Sequence, residues 1–280
     1  MGSTQLENNH FYLGGFGGVV APLDLNSTQS GVAYRYIGQF FPGQTLPTDE
    51  NYNLYVNVSG IQKSNSGGLV GAHFGYRCNK LIFEHKSSLA ITPMFELEGF
   101  YLGTSLSGDL VNPILEPAVL RAEGTVSVTH SIPANTHRFN DSYRLNTGVL
   151  LINSVFDFNN QLTKQFVPYW GGGLGFSFNT LSQADSHQIS PYNEEDINHF
   201  NSSNQTTTTV LSAQTKVGLH TEITNNLSIF AEYRYLYISP TSYTFGNTYY
   251  PGHHPDTSKW NVTLSSMNFQ TGVFGINYIF

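Results

Sequence analysis

Eight stretches of this chain alternate apolar and polar residues with a period of two, the spacing of a strand whose two faces meet different surroundings. They are Phe11 to Pro22, Gly68 to Arg77, Leu89 to Tyr101, Arg144 to Phe158, Val167 to Asn179, Val210 to Ile223, Leu227 to Ile238 and Met267 to Phe280. Most run about 10–14 residues, where a strand of a soluble sheet has about 5–6 and a tilted strand needs about 9–11 to cross a bilayer. The connections alternate as well. Short ones start at Asn79, at Asn159 and at Thr224-Asn225-Asn226; roughly 45, 40, 30 and 28 residues follow strands one, three, five and seven. Strict alternation puts every long connection at one end of an antiparallel cylinder and every tight turn at the other.

The faces separate most clearly late in the chain. Leu227, Ile229, Ala231, Tyr233, Tyr235 and Tyr237 oppose Ser228, Glu232 and Arg234, and Phe274, Ile276, Tyr278 and Phe280 oppose Val273, Gly275 and Asn277. Leu211, Ala213, Val217 and Leu219 oppose Gln214, Lys216, Gly218, His220 and Glu222, while Ile91, Phe95 and Leu97 oppose Thr92, Glu96 and Glu98. The glycine-rich strands one, four and five are ambiguous in phase. A soluble β-sandwich shares the period of two. Against it stand the strand length, apolar faces built from Tyr, and charges recurring on the opposite face. Only 11% of the chain is charged, against roughly 25% in a soluble domain. The expected fold is therefore all-β: a transmembrane antiparallel up-and-down barrel of eight strands, with long extracellular loops and short periplasmic turns.

Other classes fall away on composition. A net charge of -7 leaves no basic field for nucleic acid. The lone Cys78 makes neither an intramolecular disulfide nor a zinc ribbon, and no apolar run reaches the roughly 18–20 residues of a membrane helix. Residues 1–10 read as a tail before a single barrel domain at 11–280. Met1-Gly2-Ser3 is not a signal peptide as it stands, so a secretion signal is expected to have been removed.

Four segments carry a family resemblance. The ending Gly275-Ile276-Asn277-Tyr278-Ile279-Phe280 resembles the insertion signal read by the barrel assembly machinery of Gram-negative bacteria, with Phe274, Ile276, Tyr278 and Phe280 as the alternating positions. Phe230-Ala231-Glu232-Tyr233-Arg234-Tyr235 resembles the seventh strand of the eight-stranded OmpA-like and opacity-type surface proteins. Pro168 to Phe176 resembles their fifth, and Phe11 to Gly18 their first. The resemblance covers strands and not loops. It implies the bacterial outer membrane as compartment, with outer-membrane lipid, lipopolysaccharide and the assembly machinery as partners, but it does not single out an activity.

An eight-stranded barrel is narrow enough to be filled by its own side chains. The faces assign His73, Arg77, Glu96, Glu98, Arg144, Lys216, Glu232 and Arg234 to the lumen, where three acids, four bases and a histidine should pair. A plugged barrel is expected; a narrow gated pore is the alternative, and ten strands result if Asn53 to Ser59 and Leu120 to Thr129 also cross. These stretches read instead as extracellular hairpins. Among outer-membrane enzymes, the lipid A deacylases have a similar seventh strand but place His two residues before the catalytic Ser. Here Tyr237 precedes Ser239 at that spacing, so no base activates it. The sequence assigns no catalytic residue, metal or cofactor. His130, His137, His187, His199, His253 and His254 read as solvated loop residues, despite Asp185, Glu194, Glu195 and Asp196 close in sequence. The long loops are expected to do the work by binding a host-surface ligand, with Tyr34, Tyr36, Phe40, Phe41, Tyr243, Phe245, Tyr249, Tyr250 and Trp260 as exposed contact residues.

Overall fold

The computed structural model describes residues 10–37, 51–78, 81–82, 90–112, 119–122, 129–131, 134–159, 165–250 and 255–280. Within them lie fifteen strands: β1 (His10–Pro22), β2 (Leu25–Ile37), β3 (Asn51–Ser64), β4 (Gly67–Arg77), β5 (Leu81–Ile82), β6 (Ala90–Val111), β7 (Val119–Ala122), β8 (Thr129–Ser131), β9 (Arg138–Asn159), β10 (Val167–Ser190), β11 (Thr206–Thr224), β12 (Leu227–Ile238), β13 (Thr241–Thr244), β14 (Asn261–Leu264) and β15 (Met267–Ile279).

Eight of these close a ring of antiparallel pairs: β1–β4–β6–β9–β10–β11–β12–β15 and back to β1. Alternation explains closure. Side chains such as Leu97, Ile152, Leu174, Leu211 and Phe274 stand exposed on the outside, while their sequence neighbours Glu98, Asn153, Ser212 and Val273 are buried inside. An outward apolar belt over an inward polar core is the membrane-barrel pattern. The barrel has eight strands, and neither Asn53 to Ser59 nor the strand at Leu120 joins the ring.

The long connections are not loops draped on a rim. β9 and β10 have 22 and 24 residues; at about 3.3 Å per residue and a tilt of about 40° they rise about 55–60 Å, roughly twice a hydrocarbon core of about 30 Å. The shorter barrel strands break at one level, at Leu23-Asp24, Asn65-Ser66, Ser239-Pro240 and Ser265-Ser266, and resume beyond as β2, β3, β13 and β14. Single backbone bonds carry the ladder through these breaks, Leu23 N–H to Asn268 O (2.9 Å) and Ser265 N–H to Asn26 O (2.9 Å) among them. Above the breaks β13–β14–β2–β3–β6–β9–β10 forms a second wall. The edge that β10 leaves open is covered by the segment 191–204, through His199 N–H to Ser186 O (2.8 Å) and Ala184 N–H to Asn204 O (3.0 Å). The polar tract Thr206 to Thr209 is paired with Phe178–Leu181.

Arg144 is a correction: it faces outward and is exposed, while Tyr143 and Leu145 are buried. The strand Arg144 to Phe158 has apolar residues in both phases, so alternation gave no contrast. Tyr243, Phe245 and Trp260 are a second correction, since each is 1% exposed inside the upper wall. Buried apolar surface there outweighs whatever these rings could gain from an external ligand.

Candidate functional site: the filled lumen and the walled extension

Two buried clusters lie on the barrel axis. The lower one begins with glycines that admit large rings. A methyl at Gly75 would overlap the Tyr12 ring and one at Gly218 the Tyr169 ring. Each tyrosine lies across its glycine and reaches a carboxylate: Tyr12 donates to Glu96 Oε1 (2.8 Å) and Tyr169 to Glu232 Oε2 (2.7 Å). Lys216 bridges Glu96 Oε2 and Glu98 Oε2, the latter at 3.1 Å. Arg234 donates to Glu98 Oε1 and to Glu232 Oε1, with its guanidinium 4.2 Å above the Phe16 ring. Asn153 and Gln214 complete the set: Asn153 donates to Glu98 (3.0 Å), and Gln214 to Glu98 (3.2 Å) and to Asn153 (2.9 Å).

Nearer the short-turn end, Arg77 donates to Asp157 Oδ2 (2.5 Å), which His220 Nε2 also meets at 3.1 Å; His73 Nε2 meets Asn277 Oδ1 at 2.8 Å. Asp157 is a lumen carboxylate that the sequence reading missed. Arg144 and Asp157 lie an odd number of residues apart, so an unbroken strand cannot face both inward. The usable signal was reach: an arginine on the lipid side can snorkel to the headgroups, and an aspartate cannot. The lower lumen thus buries Glu96, Glu98, Asp157 and Glu232 against Arg77, Lys216 and Arg234. His73, Glu96 and Glu98 lie within 4.8 Å of one another, close enough to share an ion. Lys216 and Arg234 already hold both carboxylates, so the geometry favours a neutralised network over a metal. A cavity of about 40 Å³ sits beside this cluster, lined by Tyr12, His73, Arg77, Asp157, His220 and Glu222. That is room for a few waters.

The upper cluster is aromatic. Phe200 stacks on Phe245 at 4.5 Å and Tyr143 on Phe245 at 5.8 Å. Trp260 meets Phe139 and His199 edge-on at 5.9 and 5.6 Å, and its Nε1 donates to Thr248 Oγ1 (3.1 Å). His137 and His199 are 1% and 2% exposed, a correction to their reading as solvated. Packing against Phe139 takes both from water. His199 Nδ1 meets Ser186 O at 2.9 Å and its Nε2 faces Glu194 at 3.4 Å, while His137 Nε2 meets Gln188 Oε1 at 2.6 Å. Asp141, wholly buried, accepts from Tyr143 OH (2.6 Å). With its amide turned to satisfy both sides, Gln29 donates to Asp141 at 2.6 and 3.0 Å and accepts from Ser186 Oγ at 3.1 Å. Burial pushes the Asp141 carboxyl up to about 7 and holds the His137 imidazole down at about 4.

The remaining expected residues are scattered. Phe274, Ile276, Tyr278 and Phe280 all stand exposed on the outer face at the chain end. Tyr34 and Tyr249 are exposed on the upper wall, and Tyr250 is half-buried, its hydroxyl accepting from Asn198 N–H (3.3 Å). His187 faces Asp185 (3.5 Å), and Glu195 accepts from Asn193 (2.7 Å). Phe40, Phe41, His253 and His254, and the side chains of Tyr36 and His130, lie outside the described residues.

No family model and no curated protein matches the sequence. Among solved structures, the outer membrane protease OmpT from Escherichia coli is similar over 100% of this chain and 99% of its own, at 10% identity and a TM-score of 0.37. The outer membrane protein OprG from Pseudomonas aeruginosa is similar over 97% and 95%, at 11% identity and 0.37. Ail, the attachment invasion locus protein of Yersinia pestis, is similar over 95% and 99%, at 13% identity and 0.23. Of the resemblance to OmpA-like and opacity-type proteins, the ring of eight antiparallel strands is what the structure shows.

Proposed function

We propose that this chain is a non-catalytic surface protein of a Gram-negative outer membrane, whose barrel anchors the walled extension outside the cell as a binding platform. The observation that carries this reading is the packing of the extension. Phe139, Phe200, Tyr243, Phe245 and Trp260 fill its axis at 0–1% exposure, and contact is left to the outer wall and rim, where Tyr34, Tyr55, Tyr192 and Tyr249 stand exposed. A rigid wall presents such rings without the ordering cost that a loop incurs on binding. Adhesion of vesicles carrying the chain to host-cell or matrix material, abolished when Tyr34, Tyr55 and Tyr249 are replaced by Ser with the barrel intact, is the expected result. Adhesion unchanged by these substitutions removes the platform reading.

A gated channel is favoured by one observation, the cavity of about 40 Å³ beside the lumen charges. Planar-bilayer recording separates the two: ohmic openings that change with Glu98→Gln support the channel, and silence supports the platform.

A further inference from the structure

Arg144, which alternation had placed in the lumen, projects from the outer face of β9, exposed. Its side chain has no ion pair or hydrogen bond among the described residues; its backbone belongs to the strand ladder, and its carbonyl also accepts from Ser182 Oγ (3.4 Å). Its height follows from the ladder. The apolar belt ends on the rung where Tyr101 and Phe178 flank Gly148, both rings 50% exposed. The next outward rung is Gly103–Asn146–Thr180 and the one beyond is Ser105–Arg144–Ser182. Four residues along a strand tilted about 40° raise Arg144 about 10 Å above the aromatic rung. A headgroup layer is about 5–8 Å thick, and an arginine bends back toward its boundary by several ångströms. The guanidinium therefore falls level with headgroup phosphates.

Lys63 stands across β6 from it. Lys63 pairs with Ser107 and Arg144 with Ser105, which puts their Cα atoms about 12 Å apart. Lys63 is also exposed and without an ion pair among the described residues. Between the two cations the wall is polar, with Asn65 Nδ2 donating to Ser105 Oγ (2.9 Å). None of the acids of this face among the described residues pairs with Arg144 or Lys63. Asp109 takes Arg138 (3.3 Å) and Asn140 (2.7 Å), Asp185 faces His187 (3.5 Å), and Asp24 accepts from Ser64 N–H (3.2 Å). On a chain of net charge -7, two unpaired cations at one level above an aromatic rung mark a place for an anion.

We infer that Arg144 and Lys63 form a binding site for the phosphate groups of a phosphorylated glycolipid in the leaflet around the long-loop end, resting on the outer-membrane placement proposed above. Arg144 offers a planar fork to two phosphate oxygens, and Lys63 a point charge to a neighbouring phosphate.

The test uses the full chain in phosphatidylcholine vesicles titrated with lipopolysaccharide, intact or dephosphorylated. Wild type is expected to bind the intact glycolipid at least tenfold more tightly than the Arg144→Gln, Lys63→Gln double variant, with Arg144→Lys between them. Dephosphorylated glycolipid should bind both alike, salt should narrow the difference, and free inorganic phosphate at matching concentration should not compete. Arg138→Gln, on a cation already paired with Asp109, should behave as wild type. Equal affinity of wild type and double variant for intact glycolipid overturns the site, as does indifference to dephosphorylation. Vesicle flotation and the heat-dependent gel shift are scored in parallel: a chain that fails these overturns the placement itself, while a chain that passes them and ignores phosphate overturns only the site.

Discussion

Asp141 and His137 lie one above the other in the extension with opposite demands on pH. The Asp141 carboxyl, raised to about 7 by burial, holds a proton in the folded state that the unfolded chain has released above about 4. Stability from this residue therefore falls as pH rises from about 4 to about 7. The His137 imidazole, held at about 4 by burial, is neutral in the folded state where the unfolded chain is protonated below about 6.5. Its contribution therefore rises with pH over about 4 to 6.5, and the two slopes oppose each other. Asp141→Asn should raise the urea midpoint most at pH 8, less at pH 5, and leave it nearly unchanged at pH 4. His137→Gln should uncover a fall in midpoint from pH 5 to pH 7 that wild type hides. Trp260 fluorescence in a Trp170→Phe background reads both; pH profiles that stay parallel to wild type in both variants contradict the assignment.

At the scale of elements, β12 and β6 are joined through Arg234. Arg234→Ala leaves Glu232 buried without its cation and Glu98 with Lys216 alone, a loss of about 3–5 kcal/mol, and should lower the temperature at which the compact band disappears on detergent gels. Arg234→Met combined with Glu98→Gln and Glu232→Gln removes the charges together and should recover most of that loss. If the triple variant is no more stable than the single one, the network is not what Arg234 serves. β2 meets β14 where the indole of Trp260 lies against Gly31, and a methyl there would overlap the ring. Gly31→Ala should red-shift the Trp260 emission and weaken the extension while leaving the barrel's gel shift intact.

At the scale of the molecule, the breaks in β1, β4, β12 and β15 divide one cylinder into a membrane part and a projecting part. Ile238 and Met267 are register partners on either side of the β13–β14 hairpin, so replacing residues 239–266 by Asn-Gly makes a two-residue turn of the type that closes antiparallel strands. The shortened chain is expected to insert and keep its heat-dependent gel shift. It should also bind a hydrophobic dye strongly, because Phe139, Tyr143 and Phe200 lose their cover. Loss of insertion would mean that the projecting part is needed to close the ring.

Legibility differed between the two parts for a physical reason. In β12 and β15 the lipid face is apolar and the lumen face polar or small, so Glu232 and Arg234 could be placed from alternation, as could Glu96 and Glu98 in β6. In β9 both phases carry apolar residues, so Arg144 is placed in the lumen and Asp157 is left out of it until the ladder fixes the parity. In the extension the contrast reverses, since the outside is wet and the inside apolar. Short segments such as Asn261–Leu264 gave no sign of which way they faced, and Tyr243, Phe245 and Trp260 read as display residues. The sequence by itself determined that this chain crosses a membrane as eight long strands with all long connections at one end, because period, strand length and connection length are local quantities. Only the tertiary structure decided that those connections continue the wall, that their aromatics are core, and that Arg144 faces outward. Each of these depends on which strand lies beside which, and register is a property of the closed ring.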